Sequence, residues 1–386
     1  MYVSDGKAIR QFAKKIRGSE FITIDTEFMR ERTYYARLCL IQVATDDVAA
    51  IIDPLVVDDL EPLFEILRDH GIVKVLHSGT QDLEIFHKLM GEVPAPVFDT
   101  QVAATLAGFP QQVGYGALVK EITGEVLDKS DTYTDWAKRP LSETQIEYAL
   151  NDVRYLVPIY RTLRERLEDE GRLDWLEADF EWLEDPATYE IVPEEQWRRI
   201  KRISSLNRRQ LGVLMTVTAW REREAQRRDI PRRWVVGDES LVEIARRAPR
   251  DASELQKIRG VGDKLGKGSH RSLIAAVTRG MELSEDKLPA FGPKRQRVRD
   301  IEGLVDLMAA LVRIRAKEHK VAAPLLASRC ELERLAAGEV EESPLLEGWR
   351  KSHIGDELLE LLDGKISLTV VNGRLAIVGV ATGKKE

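Results

Sequence analysis

Two acidic residues stand two positions apart at the end of a segment with the alternation of a buried strand. In FITIDTEF (21–28), Asp25 and Glu27 fall on the same face of a strand, because successive side chains point to opposite faces. A carboxylate is costly to bury unless it is paired or bound to a cation. Two such groups suit a hard divalent cation such as Mg²⁺ or Mn²⁺, which prefers oxygen ligands. The pattern alone is also typical of an exposed strand end.

Two further clusters carry acidic residues. Asp82 lies in HSGTQDLEIF (77–86), where a short strand ends and a helix begins. In EYALNDVRYL (147–156), Tyr148 and Asp152 are four residues apart and share one helix face. Taken singly, the first is typical of a first-turn acid that the helix dipole favours, and the second of a structural pair. Only the combination of all three clusters favours a metal site.

The elements around these clusters predict an α/β sheet. Two apolar runs, 36–45 and 48–53, are separated by two aspartates and predict a hairpin. Amphipathic segments at 58–71 and 80–90 predict helices on either side of a short strand at 72–77, and Gly71 predicts the end of the first helix. Strands paired locally and then alternating with helices predict a sheet with helices on both faces.

The second half of the chain is predicted to be mainly helical. Residues 141–171 predict one helix or a proline-kinked pair, and 182–195 has the prolines and acids of a linker. Short helices follow, and the tail alternates around Asn372–Gly373, which predicts a hairpin.

Composition and cysteine usage exclude several classes of protein. The 386 residues are 43% hydrophobic and 32% charged, which is typical of a soluble protein of two or three domains. No run of about 18 apolar residues predicts a membrane span, and the first residues do not resemble a secretory signal. Cys39 and Cys330 are far apart and neither belongs to a C-x-x-C. We therefore expect a reduced, cytoplasmic protein without a disulfide framework or a thiolate zinc site.

The net charge of −7 conceals an asymmetry along the chain. Residues 197–299 hold 26 Lys and Arg against 12 Asp and Glu, whereas the rest of the chain holds 32 against 53. A basic segment between acidic ones favours binding to a phosphate backbone, although a solvated helical surface with ordinary charge pairs has the same composition.

The motifs in their order resemble the exonuclease motifs of the DEDD superfamily, in its tyrosine-bearing branch (DEDDy). They run D-x-E, then H-S-G-x-x-D-L, then Y-x-x-x-D, and DWAKRPLSETQIEYALNDVRYL (135–156) is similar to the ribonuclease D family. Residues 206–245 and LQKIRGVGDK (255–264) resemble the helicase-and-RNase-D C-terminal (HRDC) domain. The resemblance covers about 1–285, and 295–380 matches only loosely, as a second, divergent copy.

This resemblance implies a fold and a division into domains. It implies an RNase H-like exonuclease domain with a mixed β-sheet at 1–190. One all-α HRDC domain would follow at 200–290. A second, divergent HRDC-like helical domain with a terminal hairpin would occupy 296–386.

The resemblance also implies an activity. It implies a monomeric, metal-dependent 3′→5′ exoribonuclease that trims 3′ ends of precursor tRNA and other structured RNAs and releases 5′-mononucleotides. Two Mg²⁺ or Mn²⁺ ions would be held by four carboxylates, those of Asp25, Glu27, Asp82 and Asp152. We interpret Tyr148 as a hydrogen-bonding group that orients the attacking water, because a phenol with a pKa near 10 is a poor base.

Several other residues are candidates for contacts with RNA. In the first domain these are Phe28, His77, Trp136 and Arg139, with a structural role equally open for Trp136 and a packed position favoured for His77. Asp99 is expected to be a helix N-cap rather than catalytic. In the HRDC-like region, positive charge and glycine backbone amides are candidates for non-specific phosphate contacts. These residues are Arg208, Arg209, Arg232, Arg233, Gly260, Gly262 and Lys264.

Three other functions compete with the exoribonuclease. A DNA-directed 3′ exonuclease would use the same carboxylates, since these do not select the sugar. A non-enzymatic nucleic-acid binding module would be expected to have lost some of the four carboxylates. A glycosidase pair at Asp25 and Glu27 would leave Asp82, Tyr148 and Asp152 without a function.

Overall fold

The computed structural model describes residues 1–127, 134–261, 265–289, 301–341 and 343–380. These residues form two compact units. The sheet unit comprises Met1–Glu27, Cys39–Thr188 and the described part of Arg297–Glu386, and the helical unit comprises Phe28–Leu38 and the described part of Tyr189–Gln296.

A six-stranded mixed sheet forms the centre of the sheet unit, with the strand order β1-β4-β3-β2-β5-β6. Strand β4 pairs parallel to β1 and antiparallel to β3, and β5 pairs parallel to both β2 and β6. The antiparallel pair β3–β4 is the hairpin that the sequence predicts. The strands are β1 (Tyr2–Val3), β2 (Phe21–Met29), β3 (Arg37–Ala44), β4 (Ala49–Ile52), β5 (Val73–Leu76) and β6 (Val97–Asp99).

The parallel register of β2, β5 and β6 brings their carboxyl ends to one edge of the sheet. Phe21 is opposite Val73 and Thr23 is opposite Val75. Leu76 is opposite Asp99. Residues that follow Thr23 in β2 therefore lie at the same edge as the turn that follows β5, and this is the edge where the acidic clusters meet.

Helices cover the sheet and connect its strands. The predicted long helix at 141–171 is a pair, with α6 ending at Arg154 and α7 beginning at Leu156, two residues before Pro158. The helix predicted over 58–71 ends at Arg68 with Asp69 as its cap, so Gly71 does not end it. These helices are α1 (Gly6–Ile16), α2 (Glu61–Arg68), α3 (Thr80–Met90), α4 (Thr100–Leu106), α5 (Tyr115–Thr123), α6 (Glu143–Arg154), α7 (Leu156–Asp169) and α8 (Glu177–Glu184).

The helical unit is built around one long helix, α9. Buried apolar side chains of α9 pack with those of α11 and α13, and Leu211, Leu241 and Leu273 are fully buried in this core. The helices are α9 (Arg208–Arg228), α10 (Arg232–Val235), α11 (Asp238–Arg247), α12 (Ala252–Gln256) and α13 (Lys267–Glu282). A 3₁₀ segment, Pro193–Arg199, precedes α9.

The C-terminal segment belongs to the sheet unit rather than forming a separate unit. Its buried side chains share one core with Phe21, Ile159 and Leu163. Trp175 and Trp349 stack with ring centroids 4.4 Å apart and planes at 4°. The segment contains α14 (Ile301–Glu318), α15 (Ala323–Leu326), α16 (Arg329–Ala336), α17 (Gly348–Arg350) and α18 (Asp356–Leu362), followed by the predicted hairpin of β7 (Ile366–Val371) and β8 (Arg374–Gly379). Its similarity to an HRDC domain stays a prediction.

Among the described helices, none has the length and apolar character that crossing a membrane requires.

Candidate active site

Strand β2 carries the first acidic pair into the edge of the sheet. Asp25 and Glu27 are half-buried, whereas the strand before them is almost completely buried. Between them, Thr26 is buried and its hydroxyl donates a short hydrogen bond to the carboxylate of Asp82. Strand β2 therefore supplies two carboxylates of its own and, through Thr26, also binds the carboxylate of Asp82 in helix α3.

The turn between β5 and α3 places Asp82. A Cβ added at Gly79 would lie 2.6 Å from Cβ of Leu76, so only glycine allows the chain to turn this closely. The backbone N–H groups of Ser78 and Gly79 donate to Asp99 at 3.1 and 2.8 Å, and Asp99 also caps α4. The structure confirms the expectation that Asp99 is an N-cap. Asp82 itself is buried in the first turn of α3.

Helix α6 supplies the last two residues of the predicted set. The helix begins with a capping box between Ser142 and Gln145. Tyr148 and Asp152 are both half-buried. The ring of Trp136 lies 5.9 Å from that of Tyr148, measured between centroids. The helix thus presents a phenol and a carboxylate one turn apart.

The electrostatics show that the structure gathers the four carboxylates into one cluster. Burial is the main cause that raises the pKa of Asp25 well above its usual range, and repulsion from Asp82, Asp152 and Glu27 adds to it. Burial, with repulsion from Asp152 and Asp82, raises the pKa of Glu27 to about 8. Like charges affect each other in this way only when they are close together.

The other two carboxylates have raised pKa values for related reasons. Burial raises the pKa of Asp152 to about 7. Burial also raises the pKa of Asp82 to about 6, although the hydrogen bond from Thr26 acts in the opposite direction. At neutral pH the cluster therefore cannot ionise fully without a compensating positive charge.

The chemistry of this donor set fits divalent cations. Four carboxylates supply only oxygen ligands, and a nearby cation would remove the repulsion that raises their pKa values. Within the described ranges, no three acidic, histidine or cysteine side chains are already arranged around one metal position. The repulsion among the four carboxylates nevertheless indicates that they lie near one another.

Arg139 is hydrogen-bonded within the protein, and its predicted contact with RNA stays a prediction. Its Nε and Nη2 donate to both carboxylate oxygens of buried Asp53 at 2.5 and 2.7 Å, and Nη2 also donates to the carbonyl of Cys39. Its Nη1 donates to the carbonyl of Trp136 at 2.7 Å. Hydrogen bonds from Arg139 and Tyr2 outweigh burial and lower the pKa of Asp53. The guanidinium is therefore engaged within the protein and orders the loop.

Two aromatic candidates are also packed into the sheet unit. Trp136 is only 4% exposed, so its ring cannot stack on a base in this structure. Nδ1 of His77 lies 2.9 Å from the hydroxyl of Thr100, and burial lowers the pKa of this histidine. Both observations favour the structural alternatives. Phe28 is half-buried at the end of β2, and its contact with RNA stays a prediction.

The arginines predicted to bind RNA in the helical unit are mostly engaged. Arg208 and Arg209 donate to backbone carbonyls of the segment around Glu285 and form ion pairs with its carboxylate. Arg232 lies 3.7 Å from the buried carboxylate of Glu222, and Arg233, 77% exposed in its side chain, pairs with Asp238. The first two therefore hold the end of α13, and the phosphate contacts of all four arginines stay predictions.

The glycine-rich turn lies only partly within the described structure. Gly260 has a φ of +82°, which favours glycine at this position. Gly262 and Lys264 lie outside the described residues, so their predicted contacts with phosphate stay predictions.

Two residues near the cluster escape sequence analysis. The hydroxyl of Tyr115 donates to the carbonyl of Asn151 at 2.7 Å, next to Asp152. The hydroxyl of Thr23 lies 2.9 Å from the carbonyl of Val153, on the other side of Asp152. The one local signal that could have indicated Thr23 is its place on the strand face of Asp25, two residues before it, and no local pattern indicates Tyr115.

Comparisons with families of known proteins agree with this fold. The family described as 3′-5′ exonuclease matches residues 1–168, and the HRDC domain family matches residues 210–277. The fold and the carboxylate cluster therefore define a 3′→5′ exonuclease domain, followed by an HRDC domain.

Comparisons over nearly the whole chain define the family more narrowly. The chain is 47% identical over 364 residues to ribonuclease D of Gluconacetobacter diazotrophicus, covering 94% of this chain and 92% of that protein. It is 42% identical to ribonuclease D of Sphingobium indicum, covering 97% of each. The crystal structure of Escherichia coli RNase D superposes with a TM-score of 0.83 at 35% identity, covering 94% of this chain and 98% of that one. The chain belongs to the ribonuclease D family and is a 3′→5′ exoribonuclease.

Proposed function

We propose that this enzyme trims the 3′ ends of structured RNAs, precursor tRNAs among them, and releases 5′-mononucleotides with the help of two divalent cations. The cluster of Asp25, Glu27, Asp82 and Asp152 is the observation that carries this proposal. The related E. coli enzyme is described as an exoribonuclease involved in structured RNA processing, which supports the class of substrate. Action as a cytoplasmic monomer stays a prediction.

The carboxylates of this cluster would hold the two Mg²⁺ or Mn²⁺ ions. When bound, such ions supply an activated water on one side of phosphorus and stabilise the leaving 3′ oxygen on the other. Asp25 experiences electrostatic repulsion from all three other carboxylates, which supports its role as one of the residues that would hold these ions.

The residues of the chain itself would orient the reaction. Tyr148, one helical turn before Asp152, would donate or accept a hydrogen bond that orients the attacking water. A phenol with a pKa near 10 stays protonated at neutral pH, so Tyr148 would not serve as the base. Thr26 holds the carboxylate of Asp82 in a fixed orientation by its hydrogen bond.

A basic groove in the helical unit supports binding of the RNA body. The groove has a volume of about 500 Å³ and lies between α9 and α13. Arg223 and Arg227 line it from α9, and Arg279 lines it from α13. Each of the two α9 arginines pairs with a glutamate, so a phosphate would have to share or replace these partners. This grip on the backbone would be independent of sequence and sensitive to salt.

The most informative experiment follows digestion of an end-labelled precursor tRNA that has a 3′ extension. In Mg²⁺ the native enzyme is expected to produce a ladder shortened from the 3′ end, with 5′-mononucleotides as products. Asp25→Asn is expected to leave the RNA intact, because it removes the carboxylate that faces the other three. Asp47→Asn, an exposed aspartate of the same unit, is the control and should digest normally.

The results that would contradict the proposal are distinct. Internal cleavage, or a fully active Asp25→Asn variant, would rule out the metal cluster as the catalytic centre. Faster digestion of a DNA strand of matched sequence would favour the DNA-directed alternative.

A further inference from the structure

The last turn of α6, which carries Asp152, is held by hydrogen bonds from two other elements. Tyr115 in α5 donates to the carbonyl of Asn151 at 2.7 Å. Thr23 in β2 donates to the carbonyl of Val153 at 2.9 Å. These two carbonyls belong to the residues on either side of Asp152. The backbone of Asp152 is therefore held from both sides.

The end of a helix needs such partners. The last four carbonyl groups of an α-helix have no partner within the helix and must find one elsewhere. The helical bond from the N–H of Tyr155 to the carbonyl of Asn151 is long, at 3.4 Å. Helix α6 ends at Arg154, so both carbonyls lie in its last turn. The shorter bond from Tyr115 compensates for the long one.

The hydrogen bond from Thr23 also connects the strand that carries Asp25 with the helix that carries Asp152. Thr23 is fully buried and lies on the same strand face as Asp25, two residues before it. Its hydroxyl lies 3.3 Å from the carbonyl of Ala44 as well, but the contact to Val153 is shorter. The strand that carries Asp25 is thereby connected directly to the helix turn that carries Asp152.

Tyr115 is well suited to remain a hydrogen-bond donor. Its ring packs 5.5 Å from that of His77, measured between centroids. Burial raises the pKa of its phenol, and the carboxylates of Asp152 and Asp25 raise it further, so the proton stays on the oxygen. The hydroxyl therefore has a proton to donate to the carbonyl of Asn151.

We propose that Thr23 and Tyr115 are positioning residues that fix Asp152 relative to Asp25 for metal binding and catalysis. The inference rests on the proposed metal role of these two carboxylates. A displacement of about 1 Å in a catalytic group can reduce a rate by roughly a hundredfold, so two hydrogen bonds that prevent such a shift have a measurable effect.

The test compares Tyr115→Phe and Thr23→Val, each of which removes one hydroxyl. Each variant is expected to lower kcat by about three- to tenfold, the factor that one lost hydrogen bond allows, with little change in the KM for RNA. The affinity for Mn²⁺, measured without RNA by electron paramagnetic resonance of the free ion, is expected to fall by a similar factor. Thr23→Ser keeps the hydroxyl and should restore both quantities.

Matched controls remove hydroxyls that are bonded elsewhere in the sheet unit. Tyr2→Phe loses a hydrogen bond to Asp53, and Thr105→Val loses one of 3.0 Å to the carbonyl of Gln101. Both controls are expected to lower the thermal midpoint while leaving Mn²⁺ affinity unchanged.

Two outcomes would overturn the inference. The first is native Mn²⁺ affinity and kcat in folded Tyr115→Phe and Thr23→Val. The second is a Thr23→Ser variant as impaired as Thr23→Val. If Asp25→Asn in the same assay were fully active, the proposed function itself would be refuted, so the two failures can be told apart.

Discussion

Replacing a carboxylate of the cluster is expected to stabilise the metal-free protein while it removes activity. The pKa of Glu27 is about 8, compared with 4.5 for a free glutamate. Each pH unit of this difference corresponds to about 1.4 kcal/mol, so ionised Glu27 costs at most roughly 5 kcal/mol of folding free energy. Relaxation and entry of water reduce such costs, and we expect about 2 kcal/mol in the measurement.

The sign of the pH dependence follows from proton binding. Between about pH 4.5 and 8 the folded state holds a proton on Glu27 that the unfolded state releases. The free energy of unfolding therefore decreases as the pH rises through this window. Glu27→Gln removes the titrating group, so the variant is expected to lose less stability with rising pH than the native protein.

Calorimetric unfolding in EDTA, at about pH 5 and about pH 9, measures the effect. At the lower pH the two proteins should unfold at similar temperatures. At the higher pH, Glu27→Gln should unfold about 4–8 °C above the native protein, the shift that about 2 kcal/mol produces in a unit of this size. Adding Mg²⁺ at high pH should stabilise the native protein more than the variant.

A matched control and a clear contrary result complete this test. Glu121→Gln changes an exposed glutamate of the same unit and should leave the pH dependence as it is. If Glu27→Gln were no more stable than the native protein at high pH, the carboxylates would not repel one another as described. The reasoning about the cluster would then be refuted.

Two further predictions concern arginines. Arg139→Gln should lower the free energy of unfolding, measured in urea, by about 3–5 kcal/mol, because it leaves buried Asp53 without its charged partner. The control Arg17→Gln removes an exposed ion pair and should change the free energy of unfolding little. If Arg139→Gln weakened RNA binding without loss of stability, the structural role of Arg139 would be contradicted. Arg279→Gln in the basic groove should weaken RNA binding, measured by fluorescence anisotropy, and should reduce the slope of log K against log salt by about one. The control is Arg246→Gln, which lies outside the groove. An unchanged slope for Arg279→Gln would exclude the groove as a binding site for the RNA backbone.

Much of the fold could be predicted from sequence because the determining patterns are local. The alternation at 21–27, the hairpin at the two aspartates and the proline that divides the helix predicted over 141–171 act over a few residues. The four carboxylates and Tyr148 were proposed because the order of their motifs resembles that of the DEDDy exonucleases. Residue types at fixed separations on a strand or a helix turn carry this information without any tertiary contact.

Contacts between distant residues were beyond such patterns. Arg139 was expected to contact RNA, yet its partner Asp53 is 86 residues away. Arg208 and Arg209 were candidates for phosphate contacts, and the structure shows that they donate to the carbonyls of Glu285 and Met281. An arginine has the same local pattern whether its partner is a phosphate or a carboxylate, so only the folded chain distinguishes the two.

The sequence by itself determined which groups can do chemistry and on which element each one lies. The tertiary structure decided that Asp25, Asp82 and Asp152 converge, that their pKa values rise, and that the C-terminal segment joins the core of the sheet unit. It also revealed Thr23 and Tyr115 beside Asp152. Burial and repulsion depend on distances through space, and these are fixed only when the parallel strands bring their carboxyl ends to one edge of the sheet.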